Sequence, residues 1–439
     1  MLDKKEVFKI LRDQNPWYSS PPKTRYLDRD GYLDELEATM GSKAITVIKG
    51  PRRSGKSVLL WLLIERMKKG GIDKTQFLYV NLDDYRFMGN ESVHLLELTI
   101  EAYRENINPD RKAFVLFDEI QNIPGFEKFL KTMQDSKLDV KFMISGSNSR
   151  LLSKELGSLL TGRISTVEVL PFSFKEYLSY RGTNPKDNGY LVLERDKSNY
   201  LKNFSDYVQR GGIPEFLEEP DPAPRLREYF ENVIYRDIVE RFGIRNPVLI
   251  KQTAVFLATN AAKKYSVNGM SAVFAVAINT LSDYLADLQM AYLFFYVPPF
   301  TYSLKKRARA QSKVYGLDTG LLNAVAFRLP EDSGRLLENL VCIELMRTGS
   351  EVYYHDDEEG ECDFILKSGP RVISAIQVCE DMADPKVRTR ELSGLESAMR
   401  EYDLKEGLVL TREEYDDIQL NKHKVRVRPV WFWLLNKDE

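Results

Sequence analysis

The sequence predicts an α/β protein whose first core is a mainly parallel sheet covered by helices on both faces, and three observations carry that prediction. Between Ala44 and about Leu170, short apolar runs (AITVI, FLYVNL, AFVLF, KFMIS, STVEVL) alternate with amphipathic segments such as VLLWLLIERMKK and HLLELTIEAYREN, the signature of βαβ units. Gly50-Pro-Arg-Arg-Ser-Gly-Lys-Ser57 matches GxxxxGK followed by Ser or Thr, directly after the first run and opening the next helix, the context a phosphate-binding P-loop requires. Ala113 to Glu119, AFVLFDE, is an apolar strand ending in two acids, the form of a Walker B segment.

Bulk properties set the bounds. The chain has 439 residues, 43% of them apolar, enough for two or more cores. MLDKKEVFKILRDQ lacks the apolar core of a signal peptide. No run reaches the roughly 18 apolar residues of a membrane-spanning helix, so the expected location is cytoplasmic, with no membrane partner. Cys342, Cys362 and Cys379 form no CxxC pair, and three histidines occur without HExxH spacing, which sets aside disulfide scaffolds and histidine-built zinc enzymes. A net charge of −2 and a pI near 6.2 exclude a chain coated in nucleic-acid-binding charge but leave room for one basic face.

The chemistry concentrates in the first core. Loop glycines let backbone amides wrap phosphates, the helix N-terminus adds positive potential, Lys56 neutralises β- and γ-phosphate charge, and Ser57 ligates Mg²⁺. The expected nucleotide contacts are Gly50, Pro51, Arg52, Arg53, Ser54, Gly55, Lys56, Ser57 and Val58. Asp118 is expected to hold Mg²⁺ and Glu119 to polarise the attacking water. In KFMISGSNSR, Ser147 and Asn148 stand at the tip of another strand, and each either senses the γ-phosphate or caps the helix LLSKEL. Arg163, in LTGRIS, is the first candidate for a charge-stabilising arginine, in cis or in trans, with Arg236 in IYRDIVERF behind it; a plain surface arginine is the alternative.

The expected domains are a P-loop core over 1–172, a helical lid over 173–246, a winged-helix-like unit over 247–330 and a separate α/β unit over 331–439. The third rests on two helical stretches, VLIKQTAVFLATNAAK and AINTLSDYLADLQMA, followed by the basic, β-rich LFFYVPPFTYSLKKRARAQSKVYGLD, with the second helix as a candidate major-groove reader. Lys305, Lys306, Arg307, Arg309 and Lys313 fall on that wing with no acid among them, a density that neutralises several phosphates of double-stranded DNA. KHKVRVR puts Lys422, Lys424, Arg426 and Arg428 on one strand face, read as a solvated edge strand ahead of an extension of the same track. The acidic run from Asp356 to Asp363 reads as a hairpin tip for all but Asp363.

Together NPWY, KGPRRSGKS, NLDD, LFDEIQNI, ISGSNSRLLS, LTGR, LPFSFKEYL, GGIPEF, YRDI, VYGLDTGLL and GRLLENLV resemble, in order and over nearly the whole chain, AAA-type P-loop ATPases of archaea and bacteria fused to a C-terminal restriction-endonuclease-like domain of unknown function. The resemblance implies an AAA-type core using ATP and Mg²⁺, a helical lid, a winged-helix-like middle and a nuclease-like end. It maps the acid–metal pattern of that end to Glu338, Asp363 and an ExK-type tip at Gln377 and Cys379. There the chain departs from the pattern: IQVCE supplies an amide and a thiol, and Glu380 falls on the opposite strand face from Gln377. Cleavage is therefore expected to be weak or lost.

The leading expectation is an ATP-hydrolysing AAA-type protein acting on DNA or on a DNA-bound partner. The alternative is a signalling ATPase whose nucleotide state gates assembly with a protein partner, and a third is an ATP-dependent nuclease resting on Glu338 and Asp363. Because AAA-type sites often borrow an arginine from a neighbour, a homo-oligomer is expected.

Overall fold

The computed structural model describes residues 2–18, 26–136, 138–146, 160, 162–183, 197–301, 310–327 and 333–436. The chain divides into two compact units, Met1–Leu170 and Pro171–Glu439.

In the first unit, β1 (Ile45–Lys49), β2 (Phe77–Asn81), β3 (Ala113–Asp118), β4 (Val140–Gly146) and β5 (Ile164–Glu168) form a sheet of order β2-β3-β4-β1-β5, parallel throughout. A parallel sheet covered on both faces requires strands that are apolar almost continuously, as these are. Alternation along β3 sorts its side chains between two cores. Ala113, Val115 and Phe117 pack with Val7, Leu96 and Phe129, from α1 (Lys4–Gln14), α4 (Val93–Asn106) and α5 (Phe126–Asp135). Phe114 and Leu116 pack with Leu36, Leu59 and Leu63, from α2 (Asp30–Ala38) and α3 (Lys56–Lys69).

The β2 edge is closed by side chains rather than by a strand. The Asn15 amide donates to Tyr79 O at 2.8 Å and accepts from Tyr79 N at 2.8 Å. Gln14 repeats the exchange with Asn81, at 3.2 and 2.9 Å. Adjacent amides at the end of α1 thus satisfy a strand edge that would otherwise offer unpaired peptide groups to another chain. A segment that reads in sequence as a lead-in is part of the sheet.

The second unit opens with α6 (Phe174–Tyr180), α7 (Lys197–Arg210) and α8 (Ala223–Asn232), the last continuing as a π-helical stretch, Val233–Glu240. Next come α9 (Pro247–Thr259), β6 (Lys264–Tyr265), α10 (Val267–Phe274), α11 (Ile278–Met290), β7 (Phe294–Val297) and β8 (Ser312–Gly316). Their strands make a small sheet of order β6-β8-β7. After α12 (Thr319–Val325) and α13 (Ser333–Arg347) come β9 (Glu351–Asp356), β10 (Glu361–Ser368), β11 (Arg371–Val378), α14 (Pro385–Glu401), β12 (Glu406–Thr411), β13 (Asp416–Leu420), β14 (His423–Pro429) and α15 (Val430–Trp433). These strands form a mixed sheet of order β13-β14-β12-β11-β10-β9.

The basic strand expected at a sheet edge is not at one. The basic segment is β14, but β13 lies outside it, and acids neutralise its face. Lys424 and Arg428 pair with Asp417 at 3.5 and 2.9 Å, and Arg426 pairs with Glu406 at 3.3 Å. The β9–β10 pairing makes residues 357–360 of the acidic run a hairpin tip, as its composition predicts, but Glu361 lies on β10 and pairs with the buried Lys313.

Two polar pins join distant segments of this unit. Asp318 caps α12 through Leu321 N at 2.9 Å and accepts from Gly212 N at 2.6 Å. Asn339 on α13 accepts from Gly316 N at 2.7 Å and donates to Gly316 O at 2.9 Å, fully buried. Asn339→Ala is expected to destabilise the chain by about 2–4 kcal/mol, because it leaves both Gly316 groups buried without partners. A shifted urea midpoint at unchanged slope is the measurement.

Candidate functional site

The P-loop leaves the carboxyl end of β1 and ends at Gly55, whose φ of 95° lets the chain turn into α3. Gly50, at φ 147°, passes so close to the chain leaving β5 that an added Cβ would lie 2.1 Å from Val169 O, so no other residue fits there. Arg53 also takes a left-handed conformation, φ 64°. Pro51, Ser54 and Lys56 are buried, Gly55, Ser57 and Val58 half-buried and Arg52 exposed. Lys56 Nζ donates to Gly50 O at 3.0 Å and Pro51 O at 2.7 Å. The first amides of α3 have no partners within the helix, which makes this end of β1 a natural anion site.

Asp118 ends β3, two strands from the P-loop strand, with the tip of β4 between. Its carboxylate accepts from Tyr79 Oη at 2.7 Å and from the Ser145 hydroxyl, with the Ser57 hydroxyl also near enough to act on it. Burial, and after it the charge of Glu119, push the Asp118 carboxyl above its ordinary range, while the three hydroxyls pull the other way. Glu119 adopts φ 56°, ψ 43°, a left-handed conformation costing about 1–3 kcal/mol for a side-chain-bearing residue. Its carboxylate accepts from Gln121 Nε2, and its backbone N donates to Ser145 Oγ at 3.3 Å. A hydroxyl and a carboxylate side by side are hard oxygen donors, and they fit hydrated Mg²⁺.

Residues 42–178 match a family model described as an AAA domain, and residues 201–332 match one described as a domain of unknown function. Over 99% of this chain and 96% of its own, an uncharacterized protein of Methanocaldococcus jannaschii, MJ1544, is 30% identical. The chain belongs to the family of that archaeal protein. Its AAA domain carries a P-loop ATPase fold. An uncharacterized protein of Haemophilus influenzae is 27% identical over 93% of this chain and 98% of its own. Among solved structures, the Walker-type ATPase PABY2304 of Pyrococcus abyssi is 16% identical, covering 70% of this chain and 99% of its own at a TM-score of 0.45.

Three residues of the AAA domain site escape motif reading. Arg29, 3% exposed, donates to Ser54 O at 2.8 Å and to Leu170 O at 2.9 Å, and stacks 4.4 Å from the Tyr32 ring centre. It ties the back of the P-loop to the end of the first unit. Tyr79 and Ser145 orient Asp118 from the strands on either side of β3. Strand alternation, which points each into the site, was the signal available for both.

Arg163 requires a correction. It precedes β5 beside Ile45, at the amino edge of the sheet, whereas the P-loop departs after Lys49. Four residues of strand, roughly 13 Å, separate those edges, and Arg163 pairs with Asp135 at 2.5 Å. It does not reach the P-loop of its own chain. Arg236 is exposed on the π-helical stretch of the second unit. Ser147, Asn148, Lys305, Lys306, Arg307 and Arg309 lie outside the described residues.

Lys313 is not an exposed wing residue. It sits on β8, the middle strand of its sheet, 2% exposed, and its ammonium meets Glu338, Asp363 and Glu361 at 2.9, 2.7 and 2.5 Å. Its acid partners come 25 to 50 positions later in the chain, so a local charge count misses them. Burial alone would lower the Lys313 pKa, but Asp363, Glu338 and Glu361 outweigh it and hold the ammonium well above its ordinary value. Burial, then Asp363, push the Glu338 carboxyl up against the pull of Lys313.

Gly50→Ala is expected to abolish binding of a fluorescent ATP analogue. Arg29→Ala should weaken that binding about 10-fold, or about 1.4 kcal/mol, by freeing the back of the loop; a titration of both variants beside the parent chain tests the pair.

Proposed function

We propose that this chain binds ATP with Mg²⁺ at its P-loop, hydrolyses it, and uses the nucleotide state to act on a partner. The carrying observation is that the P-loop, leaving β1 for α3, and Asp118, ending β3, stand at the same edge of one parallel sheet, with the Ser57 hydroxyl near enough to pull the Asp118 carboxyl down. Lys56 exchanges the Gly50 and Pro51 carbonyls for β- and γ-phosphate oxygens, and the amides of the loop and of the first turn of α3 cradle the same charge. Ser57 and Asp118 would hold Mg²⁺, which would supply further neutralisation of that charge. Glu119, held by Gln121, accepts the proton of the attacking water. Arg163 acts only in trans, within a homo-oligomer.

Duplex DNA would be met by Lys305, Lys306, Arg307 and Arg309, four wing cations rather than five, with α9, α10, α11 and the β6-β8-β7 sheet as a winged helix. The alternative, a protein partner, is favoured by α11 itself: INTLSDYLADLQM has no Lys or Arg, and Asp283 is on its exposed side. A helix of that charge gives phosphates nothing to neutralise.

Lys56→Ala is expected to lose ATP binding. Glu119→Gln should retain it while hydrolysis falls about 10²–10³-fold. If steady-state hydrolysis rises with duplex DNA and the rise fades with salt, DNA is the partner; hydrolysis indifferent to DNA favours the protein switch. Hydrolysis undiminished in both variants sinks the assignment of the site.

A further inference from the structure

The buried cluster around Glu338 and Asp363 lies in the second unit, whereas the P-loop lies in the first. A restriction-endonuclease-like domain implies Mg²⁺ there, held by Glu338, Asp363 and the position of Gln377, and the side chains present do not fit that ion. Lys313 Nζ lies 2.9 Å from Glu338 Oε1 and 2.7 Å from Asp363 Oδ1, between the two carboxylates that would share the metal. A third contact, to Glu361 Oε1 at 2.5 Å, gives each of the ammonium's three N–H donors an acid. Other ligand positions are also committed. Glu338 Oε1 accepts from Tyr315 Oη at 2.6 Å, and Asp363 Oδ2 from Val378 N at 2.9 Å. Gln377 Oε1 accepts from Asp363 N at 3.1 Å, and its amide nitrogen donates to Glu391. Mg²⁺ demands near-octahedral oxygens at about 2.0–2.1 Å, and here it would share its position with a buried ammonium. Among the described residues, no group of three or more His, Cys, Asp or Glu side chains is arranged to hold a metal ion.

We infer that Lys313 is the resident cation of this site: its ammonium replaces a divalent metal and welds β8 to α13 and β10. A nuclease-like scaffold thereby serves as a structural mount for the small three-stranded sheet. The network continues outward through Lys264, which meets Glu361 at 2.5 Å and Asp356 at 2.8 Å, so β6 of the same sheet is held as well. The acids come from one segment and the cation from another, and the contact is specific to their joint fold. This assignment does not rest on the ATPase proposal, and the two fail separately.

The test uses the full chain without nucleotide, so that the P-loop contributes no metal site, with Mn²⁺ as probe. The parent's melting temperature should be indifferent to millimolar Mn²⁺. Lys313→Ala, which frees both carboxylates, should gain Mn²⁺ binding by calorimetry and a rise of roughly 5 °C at saturation. Mn²⁺ binding by the parent chain that disappears in Asp363→Asn overturns the assignment, as does a folded Lys313→Ala chain with no gain in Mn²⁺ affinity. If Lys313→Ala does not fold, Lys313→Met alone and combined with Glu338→Gln and Asp363→Asn decides. Neutralising the acids should recover melting temperature lost in the single variant, and a combined variant no more stable than Lys313→Met refutes the charge-pairing role.

Discussion

The passage of Gly50 beneath Val169 is the constraint on which the first unit's chemistry depends. The backbone just after β5 comes so near that only glycine passes, and that closeness aims the loop from the end of β1 into the first turn of α3. Arg29 then fixes the loop from behind, through Ser54 O. A guanidinium that is 3% exposed is retained at considerable desolvation cost, which its two carbonyl acceptors and the Tyr32 ring offset. The same arginine holds Leu170 O, so the phosphate loop and the end of the first unit share one anchor.

The second unit uses buried polarity differently. Asp318 and Asn339 satisfy backbone groups that no ladder reaches, and Lys313 gathers three acids. Such groups add little net stability over apolar packing, because desolvation nearly cancels their attraction. Their effect is on uniqueness: each has partners in only one arrangement of the chain, and any other arrangement leaves a buried charge or amide unpaired. The six-stranded sheet and the small sheet before it are therefore joined in a specific register.

Much of the first core was legible from sequence. Strand and helix periods, the P-loop and the acidic end of β3 all have local signatures, because a parallel sheet wants apolar runs and a phosphate wants glycines ahead of a helix. Arg29 was not legible, since nothing near it in the chain marks its partners, and for Tyr79 and Ser145 strand alternation marks a face but not a partner. Arg163 misled because closeness in sequence to β4 says nothing about which end of the sheet a residue joins. Lys313 misled for the complementary reason: a run of cations looks uncompensated until the fold brings in acids from elsewhere.

The sequence by itself determined the order of elements, the phosphate loop and the presence of an amide and a thiol, Gln377 and Cys379, at the end of β11. Those depend on residue type and on spacings of a few positions, which backbone geometry converts directly into structure. Only the tertiary structure decided that Arg163 faces away from the loop, that Asn15 and Gln14 close a sheet edge, and that Lys313 lies inside rather than on a wing. Each of these is a pairing across 20 or more residues, and its energy comes from burial and charge that the neighbouring sequence does not encode.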